Sequence, residues 1–452
     1  MRYIIQKLDS FVRSNHKRFQ RLGREFFWIS LGQVIALFGA LVGVRLLTGV
    51  LSPQIYGELA LGMTLATLVN LVLFSPLSSA ALRFFSPACE KGELPSFMMA
   101  LRRMFVQVTG IVFLLLIGTG VFLLLTKQSK WLWLGAATLG FSLFSGYNSV
   151  LDGIQNAARQ RLVVAWHQAL AYWGRFMIAV GLVMWFGAIS SLAMLGYMIG
   201  ALLVLLSQFW FFKRKLLPTR NLSSSIKVLP WHWETKMFTY AWPFALWGIF
   251  TWAQLASDRW ALKIFTGTRE VGLYAVLYQL GYYPIAIFSG LITQLVAPVF
   301  FQRVGDASDP SRMWQVHILN WRLTVVTLFI TGIATLLAFS LHRSIFRYLV
   351  APEYREISWL LPGMVLAGGL FASGQCGSII FQIGMETRSL LLPKVLTAIV
   401  GVLLNILGAA YWGVVGVVAA SVIFYFSYTL WILILVRLRY KLLVSGDTTF
   451  LG

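Results

Sequence analysis

The sequence predicts an all-α polytopic membrane protein, with about twelve transmembrane helices arranged as two six-helix bundles. Three observations predict it. Of 452 residues, 58% are hydrophobic and only 12% charged, and the mean hydropathy is +0.77. A soluble core of this size could not hide that much apolar surface. The apolar residues gather in runs of roughly 20, the length a helix needs to cross the hydrocarbon. The longest internal polar break falls mid-chain, with six runs on either side.

The elements follow in order. Residues 1–25 form a basic tail in which Ile4, Leu8, Phe11 and Val12 recur at helical spacing. It reads either as an interfacial helix on an anionic leaflet or as a charge that only fixes topology. It is no signal peptide, because charges run through the stretch where an apolar core would stand. Span one is 26–47, with Arg45 near its end. Span two, 53–82, opens on Pro53 and carries Pro76. Spans three to six follow at 104–126, 131–151, 162–186 and 189–212. The break 213–236 (KRKLLPTRNLSSSIKVLPWHWETK) comes next. Spans seven to twelve are 237–257, 272–301, 321–341, 357–383, 389–410 and 413–436. Pro243, Pro284, Pro298 and Pro362 also fall inside spans. Neighbouring helices or water satisfy the backbone groups that such breaks free. Tryptophans at span boundaries, Trp131, Trp133, Trp231 and Trp233, suit an interfacial belt.

The formal charge is +22. In a soluble chain that excess would suggest nucleic acid; here topology explains it. With the N-terminus inside, 26 of the 37 Lys and Arg lie on cytoplasmic segments and eight on the other side. That is a strong positive-inside signal, and an even span count returns the C-terminus to the cytoplasm. Cys89 and Cys376 are too few for a disulfide scaffold or a cysteine-rich metal site.

A short repeat supports the division into halves. Arg45 ends span one and Gly57 begins span two; Arg259 ends span seven and Gly272 begins span eight. The separations are 12 and 13 residues. The domain organisation is therefore a cytoplasmic tail 1–25, a bundle 26–212, a cytoplasmic loop 213–236, a bundle 237–437 and a cytoplasmic tail 438–452. Halves of equal span number and equal orientation are related by a pseudo-two-fold axis along the membrane normal. Proteins of that plan hold cargo between the halves and rock one against the other.

Four stretches carry a resemblance. The first is Arg45-Leu-Leu-Thr with Leu51-Ser-Pro-Gln-Ile-Tyr-Gly-Glu-Leu-Ala60. The second is Asp258-Arg259 followed by Val271-Gly-Leu-Tyr-Ala275. The third is Leu349-Val-Ala-Pro-Glu-Tyr354. The fourth runs from Lys394 through Asn405-Ile-Leu to Gly413-Val-Val-Gly-Val-Val-Ala-Ala420. In this order they resemble the polysaccharide-type, Wzx-like flippases of the multidrug/oligosaccharidyl-lipid/polysaccharide exporter superfamily. The resemblance implies two six-helix bundles around a central cavity in a bacterial inner membrane. It implies transport of an undecaprenyl-diphosphate-linked oligosaccharide to the periplasmic leaflet, for polysaccharide, O-antigen or exopolysaccharide biosynthesis. The implied partners are that lipid-linked oligosaccharide and the bilayer, with a polysaccharide polymerase and a chain-length regulator in the same pathway. Substrate identity does not carry over.

Candidate cavity residues come from charge and polar stripes inside the spans. A charge in hydrocarbon costs at least ~2.5–3.5 kcal/mol, so it usually faces a cavity or a partner. Arg175 lies near the middle of its span, on one face with Gln168 and Tyr172. Arg45, Arg83 and Arg259 lie at span ends, either as interfacial anchors or as guanidinium forks converging on a lipid diphosphate. Asp258 pairs with a basic neighbour or joins Trp247, Thr251 and Gln254 on a polar stripe. Ser75, Ser79 and Arg83 make a further stripe, as do Gln375, Ser378 and Gln382. Tyr274, Tyr278 and Tyr282 could stack on sugars. Each stripe equally suits helix–helix packing with polar residues as glue. His167 reads as a packed neutral histidine.

The sequence has no G-x-x-x-x-G-K-[ST], H-E-x-x-H or G-x-S-x-G pattern. No ATPase, cofactor, metal or enzymatic activity is expected, and no nucleic acid. Asn221-Leu-Ser is a glycosylation sequon on a loop expected inside. A cation-coupled multidrug-type antiporter is an alternative, but it needs a buried acid. Glu58, Asp152 and Asp258 are the candidates, all near span ends. A glycan ligase or polymerase would need larger external loops than 258–271 and 342–356. A non-transporting membrane scaffold is the fourth possibility.

Overall fold

The computed structural model describes residues 30–158, 160–215, 230–304, 310–383 and 387–445, which contain no strand. The basic tail, the sequon and most of the inter-bundle loop lie outside these residues. The helices are α1 Ser30–Val50, α2 Pro53–Glu90, α3 Leu94–Leu125, α4 Ser129–Ala157, α5 Arg161–Phe186 and α6 Ser190–Lys215. The second half holds α7 Pro230–Phe265, α8 Thr268–Val304, α9 Pro310–Leu349 and α10 Leu361–Ile383. A 3-10 segment, Pro352–Leu360, precedes α10. The last helix, α11, runs Leu391–Ser445 and breaks at Gly413, with φ 56° and ψ −133°. Its two arms are spans eleven and twelve. Only glycine takes that backbone angle freely. The arms fold back so closely that a Cβ on Gly408 would sit 2.5 Å from the Gly416 carbonyl oxygen.

Several helices outrun the apolar segments that predicted them. The α3 helix begins ten residues early, and α9 extends at both ends. Hydropathy marks the hydrocarbon, whereas backbone hydrogen bonds continue into the headgroup region. Nine described segments are long and apolar enough to cross a membrane. The α4 and α7 helices are not among them, because they carry Asn148, Asp152 and Gln155, or Gln254, Asp258 and Arg259. Both nevertheless pack as members of their bundles. In α2 the backbone widens to a π turn at Asn70–Phe74, just ahead of Pro76, which lacks the N–H needed to continue an ordinary helix.

Within the first half α2 and α6 pack on α4, and α5 packs on α6; within the second, α8, α9 and α11 pack on α10. The α1 helix lies along α5, where Trp173 donates its indole N–H to the Ile35 carbonyl at 3.1 Å. The halves meet along α2 and α8. Their crossing point is Gly57 against Gly272, the two glycines of the sequence repeat. A Cβ on Gly57 would land on the Thr268 carbonyl oxygen; one on Gly272 would land on that of Pro53. Each is the carbonyl four residues before the other glycine, the reciprocity a two-fold axis imposes.

This end of the molecule is sealed. Tyr354 donates to the Leu51 carbonyl at 2.7 Å, and the Ala351 N–H donates to Thr48 Oγ1 at 3.3 Å. The Tyr56 ring meets Tyr354 edge-on, with centroids 6.0 Å apart. Two of the quoted stretches, Leu51-Ser-Pro and Leu349-Val-Ala-Pro-Glu-Tyr354, are thus the two faces of one seal. Tyr354→Phe removes its hydroxyl bond and is expected to cost about 1 kcal/mol. The purified variant should unfold at a lower temperature than the parent; an unchanged midpoint would show that the bond carries no stability.

The α7 helix breaks the symmetry. Its last part belongs to its own half, where Asn405 donates to Ser257 Oγ at 3.0 Å. Its first part leans onto the other half. Gly248 abuts the Leu71 carbonyl at the π turn, and Trp233 packs against Phe84 and Phe97. Trp233 is only 1% exposed, which corrects its expected place in the interfacial belt. It is a core residue because α7 tilts inward there, while Trp133 and Trp231 stay exposed.

Candidate substrate cavity

Beside the seal, a cavity of about 320 Å³ lies between the halves. Each half contributes one arginine to its wall, Arg175 from α5 and Arg259 from α7. Close packing fixes Arg175: Gly196 and Gly200 of α6 press against the α5 backbone. The guanidinium lies over Tyr172 at 4.4 Å, Phe176 at 4.7 Å and Tyr197 at 5.6 Å. Its Nε is buried without a hydrogen-bond partner. No carboxylate pairs with it among the described residues.

Arg259 is differently held. It donates to the Leu255 carbonyl at 3.0 Å and to Asp258 Oδ1 at 3.5 Å, and lies 4.5 Å from the Tyr278 ring centre. Buried Asp258 also accepts from Tyr274 Oη at 2.7 Å. Asp258 therefore pairs with its basic neighbour, and it also meets Tyr274 of the tyrosine stripe. Three further hydrogen bonds tie the halves across the cavity. Tyr172 and Tyr283 share a hydroxyl hydrogen bond of 2.8 Å. Trp252 and Trp260 donate to the Thr64 carbonyl and hydroxyl at 2.7 and 3.0 Å. Two guanidiniums in a ring of tyrosine faces and hydroxyls can hold a phosphate and stack on sugars.

Not every candidate converges here. Arg175, Arg259 and Tyr278 line the cavity, and Tyr172 reaches it through Tyr283. Gln254, Asp258, Tyr274 and Tyr278 line a narrow neck beside it. Trp247, Thr251, Gln254 and Gln375 line a separate pocket between α7, α10 and α11. Gln168 points elsewhere, donating to Asp152 Oδ2 at 3.1 Å. Arg45, Arg83 and Gln382 are exposed and line none of these spaces. His167 is packed as expected, between the Val163 carbonyl at 2.7 Å and Ser207 at 3.2 Å. The cavity also includes Tyr56, Thr64, Tyr197, Trp252 and Tyr283, which were not among the candidates. Tyr56 stood in a quoted motif, but nothing in the sequence signals Tyr197.

The three membrane acids have distinct surroundings. Glu58 accepts from Lys130 at 2.5 Å and from Ser190 at 2.7 Å. Asp258 has Arg259. Among the described residues, Asp152 accepts only side-chain amides, from Gln168 and from Gln208 at 2.6 Å. No group of three or more His, Cys, Asp or Glu suited to a metal occurs among the described residues.

Two helical bundles about a two-fold crossing, with a cationic cavity between them, define a membrane transporter of the multidrug/oligosaccharidyl-lipid/polysaccharide superfamily. The chain belongs to the polysaccharide biosynthesis protein family, whose model matches residues 22–304. Among solved structures, the lipid II flippase MurJ in an inward closed conformation aligns with a TM-score of 0.67 at 14% identity, covering 92% of this chain and 88% of that one. An inward-facing multidrug resistance MATE family transporter gives 0.68 at 12% identity, covering 92% and 96%. An outward-facing MATE transporter gives 0.56 at 14% identity, covering 94% and 97%. At these identities the likeness is one of fold. Comparison with curated proteins by sequence gives no match.

Proposed function

We propose that this protein flips an undecaprenyl-diphosphate-linked oligosaccharide from the cytoplasmic to the periplasmic leaflet of a bacterial inner membrane. The product feeds polysaccharide, O-antigen or exopolysaccharide biosynthesis, with a polymerase and a chain-length regulator acting next. The observation that carries this is the pair Arg175 and Arg259, one from each half, facing a single cavity. An anionic diphosphate between them would be held by both bundles, 26–212 and 237–437, and released when they part. The positive-inside assignment makes the sealed end the outer one, so the structure corresponds to a cavity closed to the periplasm. The higher TM-scores with inward conformers support the same state. Moving negative charge outward runs with an inside-negative potential, worth ~2.3 kcal/mol per charge per 100 mV, so no ATP is required.

The test is a vesicle assay with a fluorescently tagged polyprenyl-diphosphate sugar and an impermeant quencher. Protein-free vesicles should lose about half their fluorescence, that of the outer leaflet; vesicles with the protein should lose nearly all. Equal loss in both would overturn the proposal. One observation favours a cation-coupled cycle: among the described residues Asp152 is met by the neutral amides of Gln168 and Gln208. A sodium or proton gradient applied in the same assay separates coupled from potential-driven transport.

A further inference from the structure

Where α7 leans away from the first arm of α11, it leaves a wedge of about 380 Å³. The floor is Phe371 and Gln375 of α10 with Tyr425 of the second arm. The rim is apolar and turned away from the bundle: Phe250, Ile399 and Leu403 are 60%, 51% and 54% exposed. Lys394 also lines the wedge and is half-buried, with no ion pair among the described residues.

The wedge abuts two further spaces and shares wall residues with them. Gln254, Leu255, Phe424 and Tyr425 line both it and a neck of about 20 Å³. Leu255 and Tyr278 line both the neck and the central cavity. Polar groups mark the way inward, from Lys394 past Gln375 and Gln254 to Asn405 and Asp258. Asn405 lines the neck, and its Oδ1 is buried without a hydrogen-bond partner. An apolar gap open to lipid, a lone cation in its wall and a polar path to two arginines together select one ligand chemistry.

We propose that the wedge between α7 and α11 is the membrane-side entrance, taking the isoprenoid chain of a polyprenyl phosphate lipid with its phosphate on Lys394. At about 20 Å³ the neck holds little more than a water, so the head group would reach Arg259 only when α7 parts from α8 and α11, while the chain stayed in the wedge. An ammonium on a flexible stem suits a first, transient phosphate contact; the rigid guanidinium forks suit the final one. The proposal rests on the flippase function and adds the route by which its cargo arrives.

Native mass spectrometry of the intact protein tests it, with decaprenyl phosphate, decaprenol and phosphatidylglycerol as probes. Lys394→Gln should weaken decaprenyl phosphate about tenfold and leave decaprenol unchanged, since one charge–phosphate contact is lost. Lys394→Arg should restore binding. Ala398→Trp, which fills the wedge, should weaken both isoprenoids; if it fails to fold, Lys394→Gln carries the test. Unchanged binding of decaprenyl phosphate to Lys394→Gln would overturn the proposal. So would its displacement by an equal concentration of phosphatidylglycerol, which would mark ordinary bilayer lipid. The vesicle assay separates the two claims. If Lys394→Gln flips normally while Arg175→Ala does not, the entrance fails and the flippase stands. If Arg175→Ala flips normally while lipid binding still needs Lys394, the arginine cavity fails and the entrance stands.

Discussion

Arg175→Ala is expected to abolish transport without lowering the amount of folded protein. The two halves of that expectation have separate physical sources. A charge-assisted hydrogen bond to a desolvated phosphate is worth roughly 1.5–3 kcal/mol, a factor of about ten to a hundred in binding. On the proposed reading Arg175 would supply such a bond from one half, and Arg259 would not replace it, being already engaged by Asp258 and the Leu255 carbonyl. The fold loses little. The guanidinium rests on Tyr172, Phe176 and Tyr197, contacts worth about 0.5–2 kcal/mol. Against that stands the cost of a buried Nε with no partner, which the substitution removes. The unfolding midpoint should therefore barely move while glycan display or vesicle flipping disappears. Arg175→Lys should recover part of the activity, because the charge returns without the fork. Full activity in Arg175→Ala would remove the cavity's claim to the diphosphate. A large loss of folded protein would recast Arg175 as a structural residue.

Much of this architecture was legible in the sequence. Apolar runs of membrane length anticipated the helices of both halves, nine described segments being long and apolar enough to cross a membrane, and the two glycines of the Arg-to-Gly repeat lie where α2 crosses α8. Hydropathy could not say which way each helix is rotated, because a lipid-facing side and a cavity-facing side of a membrane helix are similarly apolar. For that reason Tyr197 and Tyr283 went unrecognised, while Arg45 and Arg83 carry the same composition signal as Arg175 and yet sit outside the cavity. The stripe Trp247, Thr251, Gln254 and Asp258 was found by periodicity, but it lies along the wedge and neck, because α7 tilts out of its symmetric place. That tilt depends on contacts of Trp233 and Gly248 with the other half, which no local pattern encodes.

Gly57→Ala should open the seal. A methyl group there would occupy the position of the Thr268 carbonyl oxygen, and backbone cannot swing aside as a side chain can. Overpacking of this kind costs about 1–3 kcal/mol, and the cheapest relief is for α2 and α8 to part. In a Cys89→Ser/Cys376→Ser background, a cysteine placed at Ala60 in the cavity wall reports on this opening. An impermeant maleimide added outside should label it several-fold faster in Gly57→Ala than in the parent, and transport should fall because the cavity no longer closes. Gly272→Ala should behave alike, since its methyl would strike the Pro53 carbonyl across the same axis. The double variant is the sharper measurement. Two independent clashes would add, whereas one separation of α2 from α8 relieves both at once, so the second substitution should cost less than the first. Unaltered labelling and transport in Gly57→Ala would mean that the crossing yields elsewhere. Additive penalties would mean that the two glycines do not share a single hinge.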